Sequence, residues 1–218
     1  CSQSRGLGDV YKRQAFTSLY VAAADVDKYT DFLRENSDAF KAIGSSDAGV
    51  CITRSGNQYP GQMMVWNAFP SVEAAMIGSL KYDPNTATGQ ITKMRELKHS
   101  TIWKSLKSFR LEPGHEVVAR FKIQQNNINA FVEIMAKLEK EVQKNGHPNF
   151  FNGVFVSIAG GKESQTIKVR NITNSASDQG KIVDEYFSGK YKLFDEAVAL
   201  TEGFVDEQIQ VCEQIYKQ

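Results

Sequence analysis

The sequence predicts an α+β fold in which two β-α-β-β-α-β repeats pack sheet to sheet as an α/β barrel. Three observations predict it. Short apolar strands and amphipathic helices follow one another in the same order twice. Equivalent residues recur 102 to 104 positions apart, as in the pairs Gly44 and Gly146, and Ser71 and Ser175. Several strands are apolar on both faces, so each sheet needs a cover that the other sheet can supply.

The composition is that of an ordinary globular protein. The 218 residues include 26 Lys and Arg, 25 Asp and Glu, and 3 Cys, which suits one large domain or two small ones without disulfide support. A near-zero net charge provides no electrostatic surface for nucleic acid or an acidic membrane. The sequence also lacks a run of about 18 apolar residues that could span a membrane.

Residues 1–14 are set apart from the predicted fold. They show no apolar periodicity, and the run from Gly8 to Gln14 resembles the peptide encoded when sequencing-adapter DNA is translated ahead of a reading frame. A natural disordered basic arm is the alternative. We expect the repeats at 15–112 and 113–218. The cellular location is not assigned. The alternatives are the cytoplasm and, if a signal peptide precedes this sequence, the periplasm or the exterior.

In the first half, Asp25 is expected to cap a helix that ends at Gly44, and Ser71 to open a second helix. A loop rich in Gly, Asn and Pro predicts a hairpin between its two central strands. The predicted strands are Phe16–Ala23, Ala48–Thr53, Gln62–Phe69 and Ser100–Leu106, and a third helical stretch contains Ile91, Met94 and Leu97.

In the second half, a helix follows Asn127 and closes at Asn145 and Gly146, and a capping box at Ser175 opens the next helix. Tyr186 and Phe187 belong to the predicted buried stripe of that helix. The predicted strands are His115–Ile123, Gly153–Ile158, Gln165–Ile172 and Phe204–Tyr216, with a further helical stretch around Phe194 and Val198.

Each half therefore has the ferredoxin-like order of elements, and the whole resembles the tandem form of the dimeric α/β-barrel superfamily. The segment from Met64 to Ala75 resembles the strand-to-helix segment of antibiotic-biosynthesis-monooxygenase-type domains, in which a strand ending in Trp leads to a helix opening with Ser and Glu. Haem-degrading members share the strand Trp, here Trp66, but carry a His in the next helix. Residues 71–82 contain no His, so haem is not expected and no cofactor is assigned.

Alternation along the strands predicts which side chains point between the sheets. In the second half the uniformly apolar positions, such as Val117 and Val169, are expected to face helices, which turns the basic positions inward. The corresponding positions of the first half carry aromatic and sulfur-containing side chains. The candidate ligand-binding residues are Tyr20, Met64, Trp66, Trp103, Arg120, Lys122, Lys168 and Arg170. No catalytic residue is assigned.

Two interpretations of the four basic residues stay open, because an unpaired buried charge is costly. They could hold the carboxylate or phosphate of an organic anion whose apolar body lies against Tyr20, Met64 and Trp66. They could instead be hydrated and paired with acids such as Glu116 or Glu207, which we favour. Each tryptophan taken singly is favoured as a core aromatic residue.

The histidines and cysteines predict little chemistry. His99, His115 and His147 are isolated in the sequence, so no metal site is expected. His147 stands in a Gly-His-Pro loop and is expected to be exposed. Cys51 and Cys212 are expected to face inward as free thiols rather than as a disulfide.

Asn67 and Asn171 occupy equivalent strand ends, and bonds to the local backbone are the expected reason for both. Three functional hypotheses follow. The first is a protein that binds a small, possibly anionic, organic molecule between its sheets. The second is a cofactor-independent or haem-linked monooxygenase-type enzyme, and the third is a non-catalytic interaction module. A monomer is expected if the repeat replaces a homodimer.

Overall fold

The computed structural model describes residues 14–158 and 160–218. Most of the predicted leader therefore lies outside the described residues, so its interpretation as a translated adapter stays a prediction. Gln14 is already tied to the fold, since its carbonyl accepts a hydrogen bond from the backbone N–H of Ser105. No helix in the described part of the chain is long and apolar enough to cross a membrane.

Eight strands in the described residues form one closed antiparallel barrel. Their order around the barrel is β1-β3-β2-β8-β5-β7-β6-β4. The α+β barrel prediction is confirmed at this level, although the sheets meet through hydrogen-bonded edges rather than only face to face. The strands are β1 Ala15–Ala23, β2 Asp47–Ser55, β3 Gln62–Phe69, β4 Arg95–Ser105, β5 Gly114–Ile123, β6 Phe151–Ile158, β7 Thr166–Thr173 and β8 Thr201–Lys217.

Two pairings close the barrel across the halves of the chain. Strand β2 pairs with β8, where Cys51 stands opposite Cys212. Strand β4 pairs with β6, where Trp103 stands opposite Ser157. Within the halves, the hairpins β2–β3 and β6–β7 form as predicted. The closed barrel has no free strand edge among the described residues, which removes the usual template for aggregation.

Seven α-helices cover the outside of the barrel in the described residues. They are α1 Val26–Glu35, α2 Asp38–Ala42, α3 Val72–Lys81, α4 Gly89–Met94, α5 Ile128–Lys144, α6 Ala176–Phe187 and α7 Lys192–Ala199. The predicted N-caps Asp25, Ser71 and Ser175 each accept a hydrogen bond from the third backbone N–H that follows. Gly146 follows α5 with φ 106°, a conformation that suits glycine.

Two elements differ from the prediction. The first helix ends at Glu35, where the Asn36 side chain bonds to the Phe32 carbonyl, and α2 begins at Asp38. Leu97, expected in a helix, lies in β4, which begins at Arg95. The apolar spacing of this short stretch fits the end of a helix and the start of a strand equally well.

Candidate functional site

The barrel interior receives the inward-facing side chains that alternation predicted. Tyr20, Trp66 and Trp103 belong to one buried cluster with Cys51 and Cys212. The apolar residues on the opposite face of β5 and β7 pack against α5 to α7 in a separate cluster. The assignment of faces is therefore correct.

Six of the eight candidate residues lie together inside the barrel. A cavity of about 10 Å³ is lined by Met64, Trp66, Trp103, Lys168 and Arg170. The Lys168 Nζ atom donates to the Tyr20 hydroxyl at 3.2 Å and lies 3.9 Å from the centre of the Trp103 ring. Such a cavity holds about one water-sized particle. An organic molecule does not fit there in this structure, and the ligand-binding role of these residues stays a prediction.

Arg170 is paired inside the barrel. Its Nε donates to Glu116 at 2.8 Å and its Nη2 bonds to the other oxygen of that carboxylate. Gln210 donates to Glu116 at 2.8 Å. The expected pairing with Glu116 is therefore present, but both partners are buried rather than hydrated.

The expectation that the two inward-facing cysteines are free thiols is wrong. Cys51 and Cys212 form a disulfide, with Cα atoms 4.0 Å apart, instead of remaining free thiols. The sequence showed both side chains inward but not that β2 and β8 are neighbours. The Arg170 Nη2 atom lies 3.8 Å from the Cys51 sulfur and 3.5 Å from the Cys212 sulfur.

Arg120 and Lys122 lie apart from the cavity. Arg120 Nε donates to Asp206 at 2.6 Å, and its guanidinium also contacts Glu163. Lys122 donates to the Ser164 carbonyl at 2.8 Å, in a solvent-exposed setting. Glu163 and Asp206 are not recognisable from the sequence as partners of Arg120, because one sequence does not show which loop or strand end lies next to β5.

His99 joins this network. Its Nε2 atom lies 3.1 Å from Glu163, and its ring stacks on Tyr20 with centres 4.2 Å apart. Burial alone would raise the pKa of Glu163, but the hydrogen bond with His99 and the charge of Arg120 lower it. Glu163 is thus held as a carboxylate at the end of the barrel.

His147 is buried, contrary to expectation. It is 6% exposed, and its two ring nitrogens lie 2.6 Å from Asp178 and 3.0 Å from Glu185, both on α6. The Gly-His-Pro loop therefore turns its imidazole toward the helix. This contact is structural, since it ties the end of α5 to α6.

A much larger pocket lies outside the barrel in the second half, and we call it the second-half pocket. It has a volume of about 300 Å³ and lies between α5 to α7 and the outer face of β5, β7 and β8. Five aromatic rings line it: Phe150, Tyr186, Phe187, Tyr191 and Phe194. Phe187 was expected to be buried but is 80% exposed at the pocket. A mainly apolar cleft of this size suits a small organic molecule.

The polar groups of the second-half pocket are few. Glu207 stands opposite Ala119 on the outer face, not inside with the basic residues, and apolar surroundings raise its pKa. The Thr173 hydroxyl donates to the Ser175 carbonyl at 2.8 Å and lies 3.4 Å from Gln179 Oε1, and the Gln179 NH₂ group has no hydrogen-bond acceptor among the described residues. The Asn171 Oδ1 atom is buried without a hydrogen-bond partner in the described residues.

A corresponding pocket lies under α3 in the first half. Its volume is about 350 Å³, and Asn67 and Thr101 line it. Asn67 donates to the Thr17 hydroxyl at 3.3 Å rather than to backbone. Within the described chain, its Oδ1 and the Thr101 hydroxyl are buried without partners. Asn67 and Asn171 thus occupy equivalent outer pockets, and local backbone bonding does not account for Asn67.

Neither outer pocket fits a haem. Histidine is absent from the described residues that line them. In the second-half pocket the hydroxyl of Tyr186 donates to Asp195 and that of Tyr191 to Glu185, and in the first-half pocket the hydroxyl of Tyr82 accepts a hydrogen bond from Arg95, so all three potential phenolate ligands are engaged. A pocket of about 300 Å³ is also at the lower limit of ligand sites.

One cluster in the described residues brings metal-ligating atoms within 4.8 Å of one another: Cys51, Glu116 and Cys212. The sulfur atoms are bonded to each other, and the Glu116 carboxylate binds Arg170. The guanidinium also places a positive charge where a cation would bind. This cluster does not fit a metal.

Comparisons with solved structures identify the fold. An anthrone oxidase-like protein superposes with a TM-score of 0.61 at 10% identity, covering 93% of this chain and 94% of that one. A candidate monooxygenase from Fusobacterium nucleatum gives 0.56 at 12% identity, with 94% and 99% coverage. A haem-binding protein from Thermus thermophilus gives 0.54 at 12%, with 92% and 91%. No family model and no curated protein matches the sequence.

The chain therefore has the dimeric α/β-barrel fold, as the sequence indicated. This fold is shared by monooxygenase-type and haem-binding proteins. Identities of 10–12% establish the fold alone, and function has to be argued from the sites of this chain.

Proposed function

We propose that this protein is a monooxygenase-type oxidoreductase that oxidises a flat aromatic, polyketide-like substrate with molecular oxygen and no resident cofactor. The observation that carries the proposal is the second-half pocket, in which five aromatic rings surround a cleft of about 300 Å³ beside the carboxylate of Glu207. The similarity in fold to an anthrone oxidase-like protein supports the same substrate class.

Glu207 is the proposed general base. A carboxylate with a raised pKa removes a weakly acidic C–H proton more readily than an ordinary one. The aromatic rings exclude water around the reacting carbon, while Glu207 itself stays open to solvent and can exchange its proton. The free NH₂ of Gln179 is placed to donate to the enolate oxygen that forms.

The reaction balances without a further reductant. Glu207 takes one proton from an activated CH₂ group, the resulting carbanion adds to O₂, and the Glu207 carboxylic acid returns its proton to the peroxide, which gives a hydroperoxide on that carbon. Glu207 then takes the second C–H proton while hydroxide leaves, so the O–O bond breaks and a ketone forms. The hydroxide and this second proton leave as water, so CH₂ and O₂ become C=O and H₂O.

The test measures oxygen consumption by the purified chain with an anthrone as substrate and no added cofactor. We expect Glu207→Gln to lower kcat by about 10²- to 10⁴-fold, because the amide cannot take the proton. Glu202→Gln, at an exposed position of the same strand, is the matched control and should keep full activity.

Two results would reject the proposal. The first is wild-type protein that consumes no oxygen above the uncatalysed rate with any anthrone or hydroquinone tried. The second is a Soret band in the purified protein together with activity that depends on it, which would support the haem-linked alternative instead.

Two structural proposals accompany this function. The strand orders β4-β1-β3-β2 and β8-β5-β7-β6 correspond, which supports two ferredoxin-like repeats at 15–112 and 113–218. Both repeats are in one closed barrel, which supports a monomer, because the second repeat occupies the place of a partner subunit. Sedimentation equilibrium of the purified chain tests the monomer.

A further inference from the structure

The residues that line the barrel cavity have no role in the proposed oxygenase reaction. Both tryptophans of the chain, Trp66 and Trp103, line it together with Lys168 and Arg170. All four side chains are at most 7% exposed. With about 10 Å³ of space, the cavity admits a particle about the size of one water molecule.

Hydrogen-bond donors exceed acceptors around this cavity. Within the described residues, the indole N–H groups of Trp66 and Trp103 are buried and have no acceptor. The Lys168 amino group has at least one N–H beyond the one that the Tyr20 hydroxyl accepts. A buried donor left without an acceptor is costly, so each such group calls for an explanation.

The nearby carboxylates are committed elsewhere. Glu116 binds Arg170 and Gln210, while Glu163 and Asp206 bind Arg120. No carboxylate of the described residues lies within ion-pair distance, 4.0 Å, of Lys168 Nζ. The cavity is therefore lined by the Lys168 amino group and by two tryptophan rings whose buried indole N–H groups lack an acceptor among the described residues, and no carboxylate is paired with Lys168.

We infer that the barrel interior binds a small monovalent inorganic anion, such as chloride, against Lys168 and the indole N–H groups of Trp66 and Trp103. Chloride accepts several hydrogen bonds at once from diverging donors, as this arrangement requires. The cavity is too small for the organic anion that the sequence suggested and for sulfate, and chloride, which is somewhat larger than water, requires the lining side chains to move slightly outward. The site is separate from the second-half pocket, so the inference does not depend on the proposed enzyme activity.

The charged groups around Lys168 are consistent with this site. Burial and, next, the charge of Arg170 hold the pKa of Lys168 well below its ordinary value, with Arg120 acting in the same direction. Glu163 and Glu116 act in the opposite direction, and Tyr20 is the neighbouring neutral hydroxyl. An added anion favours the protonated amine, so binding should be accompanied by proton uptake.

The test compares halide salts with a bulky anion at constant ionic strength. We expect sodium chloride to raise the Tm by about 2–4 °C over sodium gluconate. Sodium bromide should quench the tryptophan fluorescence along a saturating curve. Because the chain has two tryptophans and both line the cavity, the fluorescence reports on this site.

Lys168→Met should abolish both responses and still fold, since replacing a buried charge by an apolar side chain of similar length is often stabilising. Lys122→Met is the matched control, because Lys122 bonds to the Ser164 carbonyl outside the cavity, and it should keep both responses. If Lys168→Met does not fold, Trp66→Phe takes its place in the test. This variant removes one N–H, keeps a ring and should weaken halide binding several-fold.

Equal Tm values in chloride and gluconate, with bromide quenching that rises linearly and does not saturate, would overturn the inference. That result would mean that the donors are satisfied by water. A halide response that survives Lys168→Met would also overturn it, because the anion would then bind elsewhere.

Discussion

At position 49 the lack of a side chain allows strand β2 to approach both its neighbours closely. A Cβ atom there would lie 2.6 Å from the Trp66 ring and would also clash with the Glu213 carbonyl on β8. Gly49 thus lets Trp66 lie flat across the interior. Gly153 stands 104 positions later in the second repeat, but the reason for a glycine at position 49 is a contact with β8 that only the closed barrel creates.

We expect Gly49→Ala to destabilise the protein by about 1–3 kcal/mol, because one of the two strands has to move away from the new methyl group. Gly180→Ala is the control. Gly180 is exposed on α6 with open space around it, and alanine there should add about 0.5–1 kcal/mol through helix propensity. Urea unfolding measures both. Equal stabilities for Gly49→Ala and the wild type would contradict the close approach.

At the scale of elements, helix caps and strand alternation were predictable because they depend on residues near in sequence. Asp25, Ser71 and Ser175 cap as expected, and Lys168 and Arg170 point inward as expected. Which side chains hold the helices to one another was not predictable. Glu185 on α6, for example, binds Tyr191 and Lys190 ahead of α7 as well as His147 after α5.

The fastening by Glu185 predicts a pH dependence. Hydrogen bonds from Lys190 and then Tyr191 lower the pKa of Glu185 to about 2. A lowered native pKa stabilises the fold above the ordinary value near 4.5, and this stabilisation is lost as the pH falls toward 2. We expect Glu185→Gln to have a lower Tm than the wild type at pH 6, with the difference vanishing by about pH 2.

Thermal unfolding followed by circular dichroism between pH 2 and 7 checks this dependence. Glu196→Gln, at an exposed position of neighbouring α7, is the control and should track the wild type. A constant difference between Glu185→Gln and the wild type across the whole range would mean that charge is not the cause.

Closure of the barrel determines how the two halves of the chain are joined in the whole molecule. The disulfide between Cys51 and Cys212 joins residues 161 positions apart and fastens β2 to β8. Around it, Arg170 and Glu116 form a buried pair that belongs to two strands of the second half. The two halves thus share one interior, while each has its own outer pocket.

Replacing both cysteines by alanine should lower the free energy of unfolding by about 2–5 kcal/mol, because the cross-link no longer restricts the unfolded chain. The barrel should persist, since hydrogen bonds along β2 and β8 remain. Denaturant unfolding with and without reductant measures the effect. Reductant should destabilise the wild type and leave the double variant unchanged; a wild type indifferent to reductant would contradict a stabilising disulfide.

The order of the elements, their caps and the inward face of each strand could be predicted from the sequence, because they follow from contacts within a few residues. This was enough to predict that Trp66, Trp103 and Lys168 share one interior. The joining of the strand edges, the disulfide between Cys51 and Cys212 and the neutralisation of Arg170 by Glu116 depend on residues far apart in the sequence, so they became visible only in the folded barrel. The space for an organic molecule lies in the outer pockets rather than in the interior, because the volume left inside the barrel depends on how all eight strands pack together.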